Sequence, residues 1–299
     1  MSKQEYISRY LIIINYLKRS KATWADMFNH LQTQSHVSGY SYVISQRTFQ
    51  RDINEISNLW NVEIKNNKST GYYFIEEHDD KLNNNVQLLD TFNVYNALSL
   101  TTNYSNYIQF ENRLPKGTEH IFGLLHAIKN KFAVELIYHK HYETVSEKVI
   151  VHPYFIKQFK GLWYLLCLKE EINEIRTYAL DRIVSFEVKK KKFILNKIFS
   201  FDNYFKNCFG IITPSYDKLQ RIVLSFSADQ AKYIKNYPLH ISQKIIKETD
   251  NQIIFEFNIF ITYDFIMELL SYGDKIKIIE PKKLIDTIQT IYKNSLQHY

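Results

Sequence analysis

Five polar side chains recur at helical spacing in one short stretch, SQRTFQRDINEI: Gln46, Arg47, Gln50, Arg51 and Asn54. The apolar residues Phe49, Ile53, Ile56 and Trp60 form the inward stripe of the same predicted helix, so the polar set faces outward. Arginine can grip guanine bidentately in the major groove of DNA, and Gln or Asn can do the same for adenine. The five residues occupy the N-terminal half of the helix, which is the end a recognition helix inserts into the groove. Ser45 is placed to cap it, because its hydroxyl can accept a bond from a free first-turn amide. The alternative is a plain solvated face, with Arg51 paired to Glu55 at i, i+4.

The surrounding elements favour DNA contact. Tyr6, Tyr10, Ile14 and Leu17 fall on one face of a first helix, and Trp24, Phe28 and Leu31 repeat the spacing in a second. After the third helix, VEIKNNKSTGYYFIEE alternates around a polar turn ending in Gly71. This predicts a hairpin with Lys65, Asn66 and Lys68 at its tip, where a wing touches phosphate. Three helices and a hairpin make residues 1–77 a winged helix-turn-helix.

Charge is unevenly distributed along the 299 residues, whose formal net charge is +7. Residues 1–75 carry nine basic against five acidic side chains, residues 76–119 three against seven, and residues 120–199 fourteen against eight. Two basic blocks separated by an acidic one point to two anionic partners, or to one such partner and a small ligand. No apolar run approaches the ~18 residues of a membrane span. The opening MSKQEYISRY lacks a secretory-signal layout, since Glu5 and Arg9 interrupt any apolar segment. Cys167 and Cys208 are the only cysteines, and no metal-ligand spacing accompanies them. These features predict a reduced cytoplasmic protein with no membrane segment, metal or cofactor. The acidic stretch over 78–117 reads as a helical linker, with Leu88, Leu89, Phe92, Tyr95 and Leu98 on its apolar side. Such a connector is a place for a dimer contact, a mechanical relay or a simple spacer.

In the second basic block a helix over about 118–130 leads into five β-like runs, from FAVELIYH to SFEVKKKKF. Closely spaced strands with short turns predict a small β-barrel of SH3 or Sm type over 118–197. One of the runs, FKGLWYLLCL, is apolar on both faces. It is either a strand covered on both sides or one whose second face lines a pocket. Residues 198–299 read strand, helix, two strands, helix, strand, a ferredoxin-like order. The predicted fold class is therefore α+β and multidomain.

The stretch KVIVHPYFIKQFKGLWYLLCL followed by IRTYALDRI resembles the WYL domain, whose Trp-Tyr-Leu is here Trp163, Tyr164 and Leu165. The match includes Pro153, Arg176 and the LDRI at Leu180 to Ile183. LLSYGDKIKIIEPKKLIDTI resembles the extension that follows WYL domains, and SQRTFQRDINEI resembles a signature of the helix-turn-helix in the same regulators. The resemblance implies a bacterial transcriptional regulator, and with the recognition helix the expected form is a homodimer that sets two such helices about one DNA turn apart on duplex operator DNA. It also implies a WYL domain that senses single-stranded nucleic acid or a nucleotide. Under that reading Lys148, His152, Arg176 and Arg182 would hold phosphate, and Tyr138 and Trp163 would stack on bases. The family has arginine where this chain has Lys148, which weakens bidentate phosphate binding. Trp163 and Tyr164 are also natural core residues of a small barrel. The alternative function is an RNA- or single-stranded-DNA-binding protein acting through the barrel. No Walker loop, HExxH or GxSxG is present, so the sequence does not read as an enzyme.

Overall fold

Thr23 and Ser45 start two of the first three helices. The computed structural model describes residues 3–76, 116–195, 200–213 and 218–299, with single positions within 91–111. The linker predicted over 78–117 lies almost wholly outside the described residues. The chain is mixed α+β, with antiparallel sheets, and divides into two units, Met1–Glu111 and Asn112–Tyr299.

In the first unit, α1 (Lys3–Arg19), α2 (Trp24–Ser38) and α3 (Gln46–Trp60) precede a hairpin of β1 (Ile64–Asn67) and β2 (Tyr72–Ile75). Thr23 and Asp26 form a reciprocal capping box at the start of α2. Ser45 accepts from the Thr48 amide at the start of α3. Both caps satisfy first-turn amides that would otherwise face no partner. Tyr10, Ile14, Leu17, Met27, Leu31, Phe49, Ile56 and Trp60 build one core from all three helices. The α1–α2 turn adds a short third edge to the hairpin, with Ala22 and Tyr73 exchanging both backbone bonds at 3.1 and 2.7 Å.

The second unit opens with a 3₁₀ turn, Thr118–His120, and α4 (Ile121–Asn130). Gly117 precedes them at φ +83°, and a Cβ there would lie 2.3 Å from the Leu180 carbonyl, so only glycine fits the approach. Five strands follow: β3 (Phe132–Tyr138), β4 (Glu147–Phe159), β5 (Leu162–Lys169), β6 (Glu174–Ala179) and β7 (Ile183–Lys192). They form one antiparallel sheet in the order β6-β5-β4-β3-β7. Register shifts at Pro153/Phe155, Phe132/Val134 and Ile137/Tyr138 bend the strands, as bulges do.

After a short helix α5 (Phe201–Tyr204) come β8 (Gln220–Ser227), α6 (Ala228–Asn236), β9 (Lys244–Glu248), β10 (Gln252–Ile259), α7 (Tyr263–Leu270), β11 (Ile276–Glu280) and α8 (Lys282–Leu296). Their sheet is antiparallel in the order β11-β8-β10-β9. Phe226, Phe255, Phe257, Phe265 and Leu284 fill the core beneath it.

The doubly apolar strand β5 is covered on both sides. Trp163, Leu165 and Cys167 point into the core of the five-stranded sheet, with Val134, Leu136, Val151 and Tyr178. Tyr164 and Leu166 point the other way and are also buried. They pair in register with Lys157 and Phe155 of β4. Phe155 meets Phe205 edge-on at 5.6 Å, and Phe159 meets Phe209 in the same way at 5.6 Å. The segment after β7 thus seals the second face of this sheet, and its apolar content is packing.

Candidate nucleic-acid interface

On α3 the five predicted base-reading residues, Gln46, Arg47, Gln50, Arg51 and Asn54, are all exposed. Among the described residues no ion pair holds Arg47 or Arg51, and Arg51 does not bridge to Glu55. Gln50 is more constrained, because its amide donates to the Tyr73 hydroxyl at 2.6 Å and braces α3 against β2. Asp52, beside Arg51, is fully buried and accepts from Arg9 Nε of α1 at 2.7 Å. This pair fixes the roll of α3, and with it the face that the two arginines present. Its partners are 43 residues apart, so no local spacing pattern signals it.

The hairpin tip differs from expectation at one position. Lys68 lies in the exposed turn and Asn66 on exposed β1, but Lys65 sits back along the strand opposite Phe74. Its ammonium bridges Glu63 at 3.0 Å and Glu76 at 3.5 Å, and these carboxylates raise its pKa. Two neighbouring carboxylates occupy the charge that a phosphate would need. Asn67 shapes the turn by accepting from the Ser69 amide at 3.0 Å.

The six residues proposed to hold a ligand on the second unit fall into two groups on opposite faces of the five-stranded sheet. Lys148 and His152 lie on the outer face. Lys148 bridges Glu135 at 2.8 Å, and its hydrogen bond holds that carboxyl below its usual range. His152 stacks on Phe193 with ring centroids 4.9 Å apart and planes 5° from parallel, beside Glu170 at 3.5 Å. Tyr138, Trp163 and Arg176 belong to the other face, with Arg182 beside Tyr138. Tyr138 is a core residue, only 4% exposed, and its hydroxyl accepts from the Ala179 amide at 3.3 Å. Its ring meets Tyr178 edge-on at 4.7 Å, and burial raises its pKa. No base can stack there, so the expected platform is a structural aromatic pair. Trp163 is half-buried against the same core. Arg182 lies over the Tyr138 ring at 5.4 Å, and exposed Arg176 is ion-paired with Glu174. The six residues that the resemblance implied are therefore not assembled into a single site. Arg176 and Arg182 remain as cations at the rim of the inner face.

Two stretches of the second unit match family models: residues 119–188 match the WYL domain, and residues 218–295 match the WCX domain. The chain carries a WYL domain followed by a WCX domain. The five-stranded sheet with α4 lies in the WYL match, and the four-stranded sheet with its helices lies in the WCX match. No curated protein matches the sequence. Among solved structures, proteasome accessory factor B/C (PafBC) of Arthrobacter aurescens is similar at 16% identity and a TM-score of 0.31, over 95% of this chain. The chain spans only 45% of the length of that PafBC chain. A CRISPR Cas-related protein is similar at 12% identity and a TM-score of 0.39, over 100% of this chain and 92% of the other.

Proposed function

We propose that the protein is a transcriptional regulator whose N-terminal unit binds duplex DNA and whose WYL domain responds to a nucleic-acid or nucleotide-like anion. The observation that carries this reading is the exposed face of α3. Arg47 and Arg51 stand at its N-terminal half without a carboxylate partner among the described residues, and a hairpin with exposed Lys68 follows. In this reading the first unit is a winged helix-turn-helix, the WYL sheet an Sm-like barrel and the WCX sheet a ferredoxin-like domain. Supporting the last two are the strand orders, fifth-first-second-third-fourth in one sheet and fourth-first-third-second in the other. The protein acts without catalysis, in the cytoplasm and as a homodimer, whose two recognition helices would meet half-sites about one turn of DNA apart. Among the described residues no helix is long and apolar enough to cross a membrane. An anion on Arg176 and Arg182 would act by binding one arrangement of the protein more tightly than another.

The test is fluorescence anisotropy on duplex DNA from upstream of the gene, over a salt series, with short single-stranded oligonucleotides added afterwards. The reading expects salt-sensitive binding that Arg47→Ala/Arg51→Ala abolishes and that oligonucleotides shift. Duplex binding untouched by the double substitution would remove α3 as the reader. Oligonucleotide binding without any duplex binding would favour the single-strand-binding alternative.

A further inference from the structure

A cavity of about 660 Å³ lies where the end of β4 meets the WCX domain, away from Arg176 and Arg182. Its size falls within the range of small-molecule sites, roughly 300–1,000 Å³. Phe159 and Phe209 line it together with Tyr233, Tyr237 and Tyr272. Tyr233 and Tyr237 are 70% and 84% exposed, so they border the opening, while Phe159 and Phe209 are half-buried.

The charges in this cavity do not balance. Lys160 is neutralised by Glu268 of α7 at 2.7 Å, and Glu268 also accepts from the Tyr272 hydroxyl at 2.8 Å. Lys157 has no carboxylate within ion-pair distance among the described residues. Its ammonium instead lies 3.9 Å from the centre of the Phe205 ring. Of the two acidic groups that act on it, the Cys208 thiol has its pKa pushed up to about 11 by burial, and Asp264 is engaged by the Ile211 and Ile212 amides at 2.8 and 3.2 Å. A cation that faces an aromatic ring and has no ion-pair partner among the described residues, in a cavity walled by rings, suits an anion that carries its own ring.

We propose that this cavity binds a small aromatic anion, with its carboxylate or phosphate on Lys157 and its ring against Tyr233 and Tyr237. Burial holds the Lys157 pKa below its ordinary value, so an incoming anion relieves a penalty already present in the empty site. The site takes one face from the WYL domain and one from the WCX domain, so its occupant bridges the two. It goes beyond the DNA-reading assignment and does not depend on it.

Nucleoside phosphates and aromatic carboxylates share this chemistry, and two probes separate them. Titration calorimetry on the full chain with adenosine 5′-monophosphate and with salicylate, each up to millimolar concentration, should give saturable binding of at least one. Lys157→Met should weaken that binding about tenfold or more, as loss of a charge-assisted bond does. Tyr233→Ala, at an exposed position where folding is not at stake, should weaken it several-fold. Arg176→Ala/Arg182→Ala should leave it unchanged. The inference is overturned if neither probe saturates, if Lys157→Met and Tyr233→Ala bind as the wild type does, or if the double arginine variant alone loses binding. None of these outcomes depends on duplex DNA, so they are separable from failure of the proposed function.

Discussion

Arg9 of α1 donates from Nε to Asp52 of α3 at 2.7 Å, and neither side chain is exposed to solvent. Asp52 stands next to Arg51, so the same helix turn that presents one arginine outward is anchored from beneath by another. Removing one member of a buried pair leaves its partner charged in a low-dielectric interior, at a cost of about 3–5 kcal/mol. Asp52→Ala should therefore destabilise the first unit by that order. The transition can be followed in denaturant by the fluorescence of Trp24 and Trp60, both packed in that core. A change below about 1 kcal/mol would show that the pair contributes little to holding α3.

Tyr138 invites a different substitution. Its hydroxyl is the acceptor for the Ala179 amide, and its ring is packed against Tyr178. Tyr138→Phe keeps the ring and leaves a buried amide unpaired, which costs about 1–3 kcal/mol. The WYL domain should lose stability by that amount in urea, while oligonucleotide binding by the folded protein is unchanged. Loss of binding at unchanged stability would restore Tyr138 to the ligand site.

The helices and their exposed faces were legible because helical periodicity and caps are local. Ser45, Phe49, Ile53 and Trp60 lie within sixteen residues and need no tertiary knowledge. Strand alternation is just as local, yet it says only that two residues share a face, not what covers that face. Tyr138 and Trp163 alternate correctly and still point into a filled core, so their rings do not make a platform. Lys157 was missed for a related reason. The bulge between Pro153 and Phe155 shifts the parity of β4, and Phe205, some fifty residues on, then covers the lysine's face. The Arg9–Asp52 pair and the two-sided cover of β5 are both long-range, and neither has a signature in the chain.

Gly117 carries the next prediction. It combines φ +83° with a backbone neighbour that cannot move aside, since the nearest atoms to an added Cβ are the Leu180 carbonyl and the Asp181 amide nitrogen. Gly117→Ala should destabilise the WYL domain by more than about 2 kcal/mol, through the left-handed conformation and the clash together. Gly161 is a matched control in the β4–β5 turn, with φ +79° and nothing within 4 Å of its added Cβ. Gly161→Ala should cost only the conformational part, about 1 kcal/mol. Equal losses at the two positions, measured by urea denaturation, would discount the close approach at Leu180.

Lys157 links stability to pH with a definite sign. Burial depresses its pKa in the folded state, so the unfolded chain holds that proton more tightly. Below the depressed folded value the ammonium is present in both states and the folded state bears the full desolvation penalty. As pH rises from that value towards the ordinary lysine pKa of about 10.4, the penalty disappears and the wild type gains stability relative to a variant without the charge. Lys157→Met, which keeps the stem and removes the ammonium, should therefore be more stable than the wild type at pH 7, with the difference shrinking as the pH approaches 10. Urea denaturation at pH 7, 8.5 and 10 measures this directly. A variant less stable than the wild type at pH 7 would mean that the contact with the Phe205 ring outweighs the loss of hydration. In that case the empty cavity would already satisfy its lysine and would have no penalty for an anion to relieve.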